Sequence, residues 1–177
     1  GFADDLAKVE APDGAMKGLI EAKEQKMARF IGMTSHTDGP TLATAIGRHP
    51  LDCVQMALNA ARNGEFEQTA LPAARKKRLG IIAMKITGQE FLMGEGAGKT
   101  NIDELLRYSV SLPVTTGVIG MPKAEDIDHN TALLRNFKRL DQEAMDRIRQ
   151  QMSPSTAPLT KKLVGHLDID HQHVCWG

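Results

Sequence analysis

Leu79-Gly-Ile-Ile-Ala-Met-Lys85 is the stretch of sequence that decides the fold. This short apolar run is followed by a glycine-rich segment over Thr87–Lys99, which predicts a buried β-strand that ends in a loop. Three further segments predict strands of the same kind, and these are Ala28–Thr34, Leu51–Ala57 and Thr116–Gly120. Because apolar residues occur on both faces of these strands, we expect the sheet to be covered on both sides.

Helical patterns separate the four predicted strands. We predict helices over Ala15–Met27, from Gly39, over Phe66–Lys77, from Thr100, over Ala124–Phe137 and over Asp141–Met152. Asp38-Gly39-Pro40 is typical of a helix start, and Thr100 with Asp103 three residues later predicts a capping box. Strands that alternate with helices indicate a parallel sheet. A doubly wound sheet and a (β/α) barrel both fit this order.

The composition excludes several classes of protein. The 177 residues include 22 basic and 22 acidic side chains, and this neutrality argues against a nucleic-acid partner, which requires an excess of Lys and Arg. The apolar runs are far shorter than the ~18 residues of a membrane-spanning helix, and the first residues lack the features of a signal peptide. Two cysteines, Cys53 and Cys175, are too few for a disulfide framework, so we expect a cytoplasmic protein without a membrane partner.

Specific motifs accompany the four predicted strands. In chain order they are Arg29-Phe-Ile-Gly-Met-Thr-Ser-His36, Asp52-Cys-Val-Gln-Met56 with Leu58-Asn59, Gly80-Ile-Ile-Ala-Met-Lys85, and Gly117-Val-Ile-Gly-Met121 with Ile127-Asp-His-Asn130. In order and spacing they resemble the aldo/keto reductase family over roughly Gly14–Arg135. The resemblance implies the C-terminal half of a (β/α)8 TIM barrel, with four parallel strands that correspond to strands five to eight. It assigns residues 1–152 to this half-barrel and leaves residues 153–177 as a flexible tail.

The resemblance also implies a function. The family reduces carbonyl compounds with a nicotinamide cofactor, so this chain would be the cofactor-binding part of an NAD(P)H-dependent oxidoreductase that acts on an aldehyde or ketone. The family's catalytic Asp, Tyr, Lys and His lie on the first four strands, so we expect this chain to lack them and to be inactive alone. Tyr108, its one tyrosine, is predicted to pack within a helix with its hydroxyl at the surface.

Two alternatives to the enzymatic interpretation stay open. The chain could be a non-catalytic half-barrel that binds a nucleotide or a protein partner, or it could be an inactive fragment. An open half-barrel exposes two sheet edges and an apolar inner face, which proteins pair or cover. We therefore expect association with the missing N-terminal half or with a second chain, besides a small carbonyl substrate.

Ten residues receive cofactor-binding roles from the resemblance. Thr34, Ser35, Gln55 and Met84 would face the nicotinamide, and Lys85, Thr87 and Gly88 would lie near the pyrophosphate. Gly120 and Met121 would lie on the adenosine-phosphate segment, and Asn130 would hydrogen-bond the adenine. A glutamine in an apolar strand also needs a partner for its amide, which favours a ligand role for Gln55. Asp126 stands where NADP-binding relatives often carry a basic residue, with Lys123 nearby, so the choice between NADP and NAD stays open.

Two further motifs do not support a function. Gly94-Glu-Gly-Ala-Gly-Lys-Thr100 resembles a phosphate-binding loop, but three residues separate Gly94 from Gly98 where that motif has four. ATP binding is therefore not predicted. The histidine-rich segment His166–Cys175 contains metal-ligating residue types, but their spacing matches no regular tetrahedral site, so we predict no bound metal.

Overall fold

The computed structural model describes residues 2–170, and the side chains of residues 5–165. The strands are β1 (Gly32–Ser35), β2 (Cys53–Ala57), β3 (Gly80–Met84) and β4 (Thr116–Gly117). The helices are α1 (Phe2–Val9), α2 (Ala15–Glu24), α3 (Gly39–Arg48), α4 (Ala70–Lys76), α5 (Ile102–Ser111), α6 (Ala124–Arg135), α7 (Gln142–Met152) and α8 (Thr156–Asp170). Short 3-10 helices span Asn63–Glu65 and Ser153–Ser155.

The four strands form one parallel sheet in the order β1-β2-β3-β4. The pairing places Thr34, Gln55, Ile82 and Thr116 in one row across the sheet. Each of the first three strands leads through a helix into its neighbour, as a parallel sheet requires. The predicted number, order and direction of the strands are therefore confirmed.

Helices cover one face of this sheet. Val54 and Met56 of β2 are buried in a core with Ile81 and Ala83 of β3 and with residues of α3, α4 and α5. Because successive side chains point to opposite faces, the row that contains Thr34 and Gln55 lies on the other face, where it is half-buried or exposed. The expectation of a sheet covered on both sides is thus wrong for residues 5–165. One covered face is typical of a barrel wall and not of a doubly wound sheet.

The predicted helix starts hold where a side chain caps the helix. The Asp38 carboxylate accepts a hydrogen bond from the Thr41 backbone N–H at 2.8 Å, and Pro40 lies in the first turn of α3 as predicted. In α4, Pro72 also lies in the first turn, so the helix begins at Ala70 and not at Phe66.

Other element boundaries differ from the predictions. α5 is capped by Asn101, whose side chain accepts from the Glu104 N–H at 3.0 Å, so the predicted capping box of Thr100 and Asp103 is wrong by one residue. Thr100 instead closes the glycine-rich loop, because its N–H donates to the Leu92 carbonyl. β4 is limited to two residues, although the Val118 N–H still donates to the Ala83 carbonyl at 2.8 Å.

The beginning of β1 is also later than predicted. Met27 and Ala28 both donate backbone hydrogen bonds to the Ala22 carbonyl, and they therefore complete the end of α2. Ile31 contacts Asp52 through its N–H and its carbonyl, so the strand ladder begins only at Gly32.

The predicted flexible tail is wrong for residues 156–170, which form α8. Leu159 and Leu163, one helical turn apart, are buried in the core. The prolines of this segment do not exclude a helix. Pro158 lies in the first turn of α8, where a missing N–H breaks no helical hydrogen bond. The predicted metal-ligating types of His166–Cys175 lie outside the described side chains.

One ion pair fastens α2 to the amino ends of β1 and β2. The Lys23 ammonium donates to both carboxylate oxygens of Asp52, at 2.7 and 2.6 Å, and the Ile31 N–H donates to the same carboxylate at 2.9 Å. The hydrogen bond from Lys23 and that from Ile31 hold the pKa of Asp52 below its ordinary value of 3.8. A carboxyl group with a lowered pKa stabilises the fold above its unfolded-state pKa.

We predict that Asp52→Asn lowers the unfolding temperature at neutral pH, because it removes the charge that Lys23 contacts. The difference from wild type should be full near neutral pH, should shrink as the pH falls below the unfolded-state value of about 3.8, and should vanish below the lowered pKa. Thermal melts across this range test it. Asp13→Asn, at an exposed carboxylate without an ion pair among the described residues, is the control. A pH-independent difference would contradict the assignment.

Candidate functional site

A cleft of about 780 Å³ lies at the carboxyl ends of the strands. Its lining comes from the end of β2, the end of β3 with the loop that follows, the segment after β4 and the first half of α6. In barrels built from parallel strands, these ends and their loops carry the functional groups. The volume is within the range of small-molecule and cofactor sites, about 300–1,000 Å³.

The sheet-side wall of the cleft contains Gln55 and Met84. The Gln55 side-chain nitrogen donates to the Met84 sulfur at 3.2 Å, and the Thr34 hydroxyl contacts the same sulfur at 3.9 Å. A thioether is a weak acceptor, so the hydrogen-bonding capacity of the Gln55 amide is only partly used. Met84 lines the cleft, while Thr34 reaches it only through this sulfur.

The loop after β3 forms a second wall. Lys85 and Thr87 line the cleft, and Lys85 adopts a left-handed backbone conformation with φ of 55°. A non-glycine residue in this region is strained and persists only where its surroundings hold it. Here the Gly88 N–H donates to the Lys85 carbonyl at 2.8 Å, and the Glu90 N–H donates to the Thr87 hydroxyl at 3.3 Å.

The first half of α6 completes the cleft. Asp126 accepts a hydrogen bond from the backbone N–H of Lys123 at 3.0 Å, and both residues line the cleft. Asn130, one turn further along, is 6% exposed and also lines it. The Asn130 side chain has no hydrogen-bond partner among residues 5–165. Its amide atoms are accessible from the cleft, so a ligand with polar groups could hydrogen-bond them there.

The structure separates the ten predicted site residues into two groups. Those that line the cleft are Gln55, Met84, Lys85, Thr87, Gly120 and Asn130. Thr34 lies behind Met84, and three others point elsewhere. Ser35 exchanges hydrogen bonds with the Asp38 backbone, Gly88 is buried against Leu159, and Met121 is exposed outside the cleft.

Several further residues line the cleft that no sequence pattern indicated. They are His36, Ile86, Gln89, Glu90, Met93, Ile102, Val118, Ile119, Pro122 and His129. Gln89 and Glu90 lie in left-handed conformations, which a sequence without glycine at these positions does not signal. His129 contacts Asp103 at 2.6 Å and so joins α6 to α5 beside the cleft, a pairing across 26 residues that local patterns cannot indicate.

The glycine-rich loop lies against α7 and α8. The Lys99 ammonium donates to the Phe91 carbonyl and lies 3.6 Å from the centre of the Phe91 ring. The Ser155 hydroxyl donates to the Gly98 carbonyl at 2.7 Å. The Lys99 ammonium, the cation that a phosphate-binding loop would offer to a nucleotide, is therefore engaged by Phe91.

Neither a metal-binding cluster nor a membrane-spanning helix occurs within the described part of the chain. Among its side chains, no group of three or more His, Cys, Asp or Glu residues could hold a metal ion. None of the helices within residues 2–170 combines the length and the apolar character needed to cross a membrane.

Tyr108 lies outside the cleft, inside α5, and the prediction of a hydroxyl at the surface is wrong. Its side chain is fully buried, its hydroxyl donates to the Glu67 carboxylate at 2.5 Å, and it accepts from the Arg149 guanidinium at 2.9 Å. Burial, followed by the nearby charge of Glu67, raises the pKa of Tyr108 well above its ordinary value. A hydroxyl held in this way joins α5 to α7 and is unsuited to proton donation.

Solved structures reveal the fold to which this arrangement belongs. The holo form of the aldo-keto reductase AKR11C1 from Bacillus halodurans matches with a TM-score of 0.60 and 15% identity, over 81% of this chain and 57% of that chain. Its apo form gives a TM-score of 0.60 and 14% identity, over 81% and 58%. The thermostable aldo-keto reductase Tm1743, in a complex with the inhibitor epalrestat, gives 0.57 and 20%, over 77% and 53%.

These similarities establish the fold. No protein-family model and no curated protein matches the chain. The chain has the α/β fold of aldo-keto reductases, in which parallel strands alternate with helices, and it spans little more than half the length of these structures. The predicted half of a (β/α)8 barrel is therefore confirmed. Fold alone does not determine function, which must be argued from the cleft.

We predict that Tyr108→Phe lowers the free energy of unfolding by about 1–3 kcal/mol, because Glu67 and Arg149 lose a buried hydrogen-bond partner. Urea unfolding of the variant and the wild type measures this loss. Ligand affinity of the cleft should not change, since Tyr108 does not line it. Unchanged stability would mean that the hydroxyl is not part of a buried network.

Proposed function

We propose that this chain is the cofactor-binding part of an NAD(P)H-dependent oxidoreductase that reduces an aldehyde or ketone. The observation that carries the proposal is the Asn130 amide, which lines the cleft and has no hydrogen-bond partner among residues 5–165. Gln55 presents a second, partly used amide to the same cleft. A dinucleotide cofactor has two rings with polar edges, the nicotinamide and the adenine. Two amides in a cleft at the carboxyl ends of parallel strands could each hydrogen-bond one of these edges.

Each wall of the cleft would hold a different part of the cofactor. Gln55, with Thr34 behind Met84, would bind the nicotinamide carboxamide, and the Met84 thioether would pack on the ring. Lys85 and Thr87 would face the phosphates, where Lys85 contributes a positive charge. Ser35, Gly88 and Met121 point elsewhere, so we assign them no contact.

The amino end of α6 would hold the adenosine phosphate. Gly120 precedes this helix and leaves room for close approach, while Asn130 would bind the adenine. Free N–H groups and the positive end of the helix dipole favour phosphate there.

The residues of this chain would bind and orient the cofactor, and the cofactor would supply the reducing equivalent. A bound reduced nicotinamide supplies a hydride for the carbonyl carbon. We propose that the proton comes from an Asp–Tyr–Lys–His group outside this chain, because its one tyrosine is held between Glu67 and Arg149. In this proposal the chain's own residues position the cofactor and do not supply the proton.

Either NADP or NAD fits the amino end of α6. The Lys123 side chain offers a positive charge to a ribose phosphate, whereas Asp126 opposes it through like charge. Asp126 is partly engaged in accepting the Lys123 N–H, which caps the helix. Both cofactors are therefore used in the binding experiment.

Asn130→Ala should weaken binding of NADPH or NADH by about tenfold, the effect of one lost hydrogen bond of ~1–1.5 kcal/mol. Cofactor fluorescence titrations measure the affinity. The unfolding temperature should stay nearly constant, because the Asn130 amide makes no hydrogen bond within residues 5–165.

Asn136→Ala, at the exposed far end of α6, is the matched control and should bind like wild type. A loss of stability in Asn130→Ala with unchanged affinity would contradict a ligand role. An aldehyde added to the NADPH complex separates the two main interpretations. Turnover by this chain alone would contradict the missing acid–base group, binding without turnover would support the proposal, and the absence of both would indicate an inactive fragment.

A second candidate function is a non-catalytic half-barrel that binds a protein partner, and the sheet edges favour an association of this kind. β1 and β4 each pair on one side in the described chain. Val118 beside β4 is 52% exposed, and Ile127 and Leu134 of α6 are also exposed. Exposed apolar groups next to an unpaired edge mark an interaction surface. We propose that the N-terminal half of a barrel or a second chain covers this edge.

We predict that the purified chain self-associates when no other half-barrel is present. Light scattering should give a mass above that of one chain, and Val118→Lys with Ile127→Lys should return the mass to that of a monomer. The substitutions introduce charge at exposed positions, so they should leave the unfolding temperature nearly unchanged. A monodisperse wild-type monomer would contradict the proposal.

We further propose a cytoplasmic location. Cys53 is a free, half-buried thiol, and its sulfur lies 3.9 Å from the Ile31 carbonyl. A free thiol in the sheet is compatible with a reducing compartment, where disulfides are rare.

A further inference from the structure

Two buried asparagines connect the carboxyl ends of three strands. Asn59 and Asn63 follow β2 and are 1% and 0% exposed. The Asn59 side-chain nitrogen donates to the Lys85 carbonyl beyond β3 at 3.1 Å and to the Asn63 side-chain oxygen at 2.7 Å. The Asn63 side-chain nitrogen donates to the His36 carbonyl beyond β1 at 3.1 Å. A continuous chain of hydrogen bonds therefore joins β1, β2 and β3.

The orientation of both amides follows from their partners. The Asn59 nitrogen faces two oxygen acceptors, and turning the amide over would place oxygen against oxygen. In this orientation the Asn59 side-chain oxygen is buried and has no hydrogen-bond partner among the described residues. The fold therefore retains a buried asparagine here despite the cost of an unsatisfied acceptor.

The carbonyls held by the two amides belong to residues that line the cleft, His36 and Lys85. Lys85 has a left-handed backbone with φ of 55°, which L-amino acids avoid. Its carbonyl receives the Asn59 amide in addition to the Gly88 N–H, and both hydrogen bonds oppose a return to the extended conformation. Asn59 is therefore placed to hold the strained backbone from which the Lys85 side chain leaves.

The loop that carries Asn63 is fixed by close backbone contact. Gly64 has φ of 67°, and a Cβ atom there would lie 2.6 Å from the Thr37 carbonyl oxygen. The loop after β2 therefore lies directly against the loop after β1, and no larger residue fits between them. This contact sets the position from which Asn63 reaches the His36 carbonyl.

We propose that Asn59 and Asn63 are positioning residues, which hold the backbone of Lys85 and of His36 in the arrangement that the cleft needs to bind its ligand. The identity of the ligand as a nicotinamide dinucleotide rests on the proposed function. The connection among the three strand ends rests on the contacts above and can be tested separately.

The two asparagines make separable contacts, so single variants should have different local effects. Asn59→Ala removes the hydrogen bond from Asn59 to the Lys85 carbonyl, which keeps the one from the Gly88 N–H, and leaves the bond between Asn63 and His36 in place. Asn63→Ala removes the hydrogen bond from Asn63 to the His36 carbonyl and leaves the bond between Asn59 and Lys85 in place. Ser109→Ala is the matched control, because its buried hydroxyl donates to the Leu58 carbonyl at 2.8 Å and contacts neither cleft loop.

Amide hydrogen exchange followed by mass spectrometry tests this separation. We expect Asn59→Ala to raise exchange in the segment after Lys85 and Asn63→Ala to raise it in the segment after His36, with the four strands still protected. Each variant should also bind NADPH roughly tenfold more weakly, the scale of effect that misplaced contact groups produce. The control should change neither quantity.

Three outcomes would contradict the proposal. Exchange that rises equally in both segments, or throughout the sheet, would indicate general destabilisation. Exchange that does not change in either segment would show that the two amides do not hold the backbone of Lys85 or of His36. Local exchange effects with wild-type affinity would remove the role in ligand binding. If the wild-type chain binds neither NADPH nor NADH, the proposed function fails, and the exchange pattern still tests the connection among the strand ends.

Discussion

The parallel pairing of β2 with β3 is the constraint on which the rest of the molecule depends. Five residue pairs, from Cys53 with Gly80 to Ala57 with Met84, bring the two strands to a common end. Their carboxyl ends then place Asn59 beside the Lys85 carbonyl, although 26 residues separate them in the chain. A shift of one residue would turn Val54 and Ile81 out of the core and would break this contact.

The amino ends and the carboxyl ends of the strands differ in how their polar side chains are used. At the amino ends, the carboxylate of Asp52 joins α2 to the sheet through charge and backbone contacts. At the carboxyl ends, Gln55 and Asn130 keep hydrogen-bonding capacity that the protein itself does not use fully. This division between a stabilising end and a binding end is general in barrels of parallel strands.

Local patterns were sufficient for most of the fold and for part of the site. Asp38 and Pro40 define the start of α3 within four residues, and such short-range signals are visible in sequence. Long-range effects such as the packing of Gly88 on Leu159 were not visible. The uncovered row of Thr34 and Gln55 also depends on where helices pack, since apolar content alone does not separate a barrel wall from a doubly wound sheet.

The contact between Gly88 and α8 links the last described helix to the loop beside the cleft. A Cβ atom on Gly88 would lie 2.9 Å from a methyl group of Leu159, so the loop rests directly on that side chain. The size of the Leu159 side chain therefore limits how close the loop can lie to α8, and so how far the loop can lie from the cleft. Related proteins with a smaller residue at this position would have a deeper site without any change in the sheet.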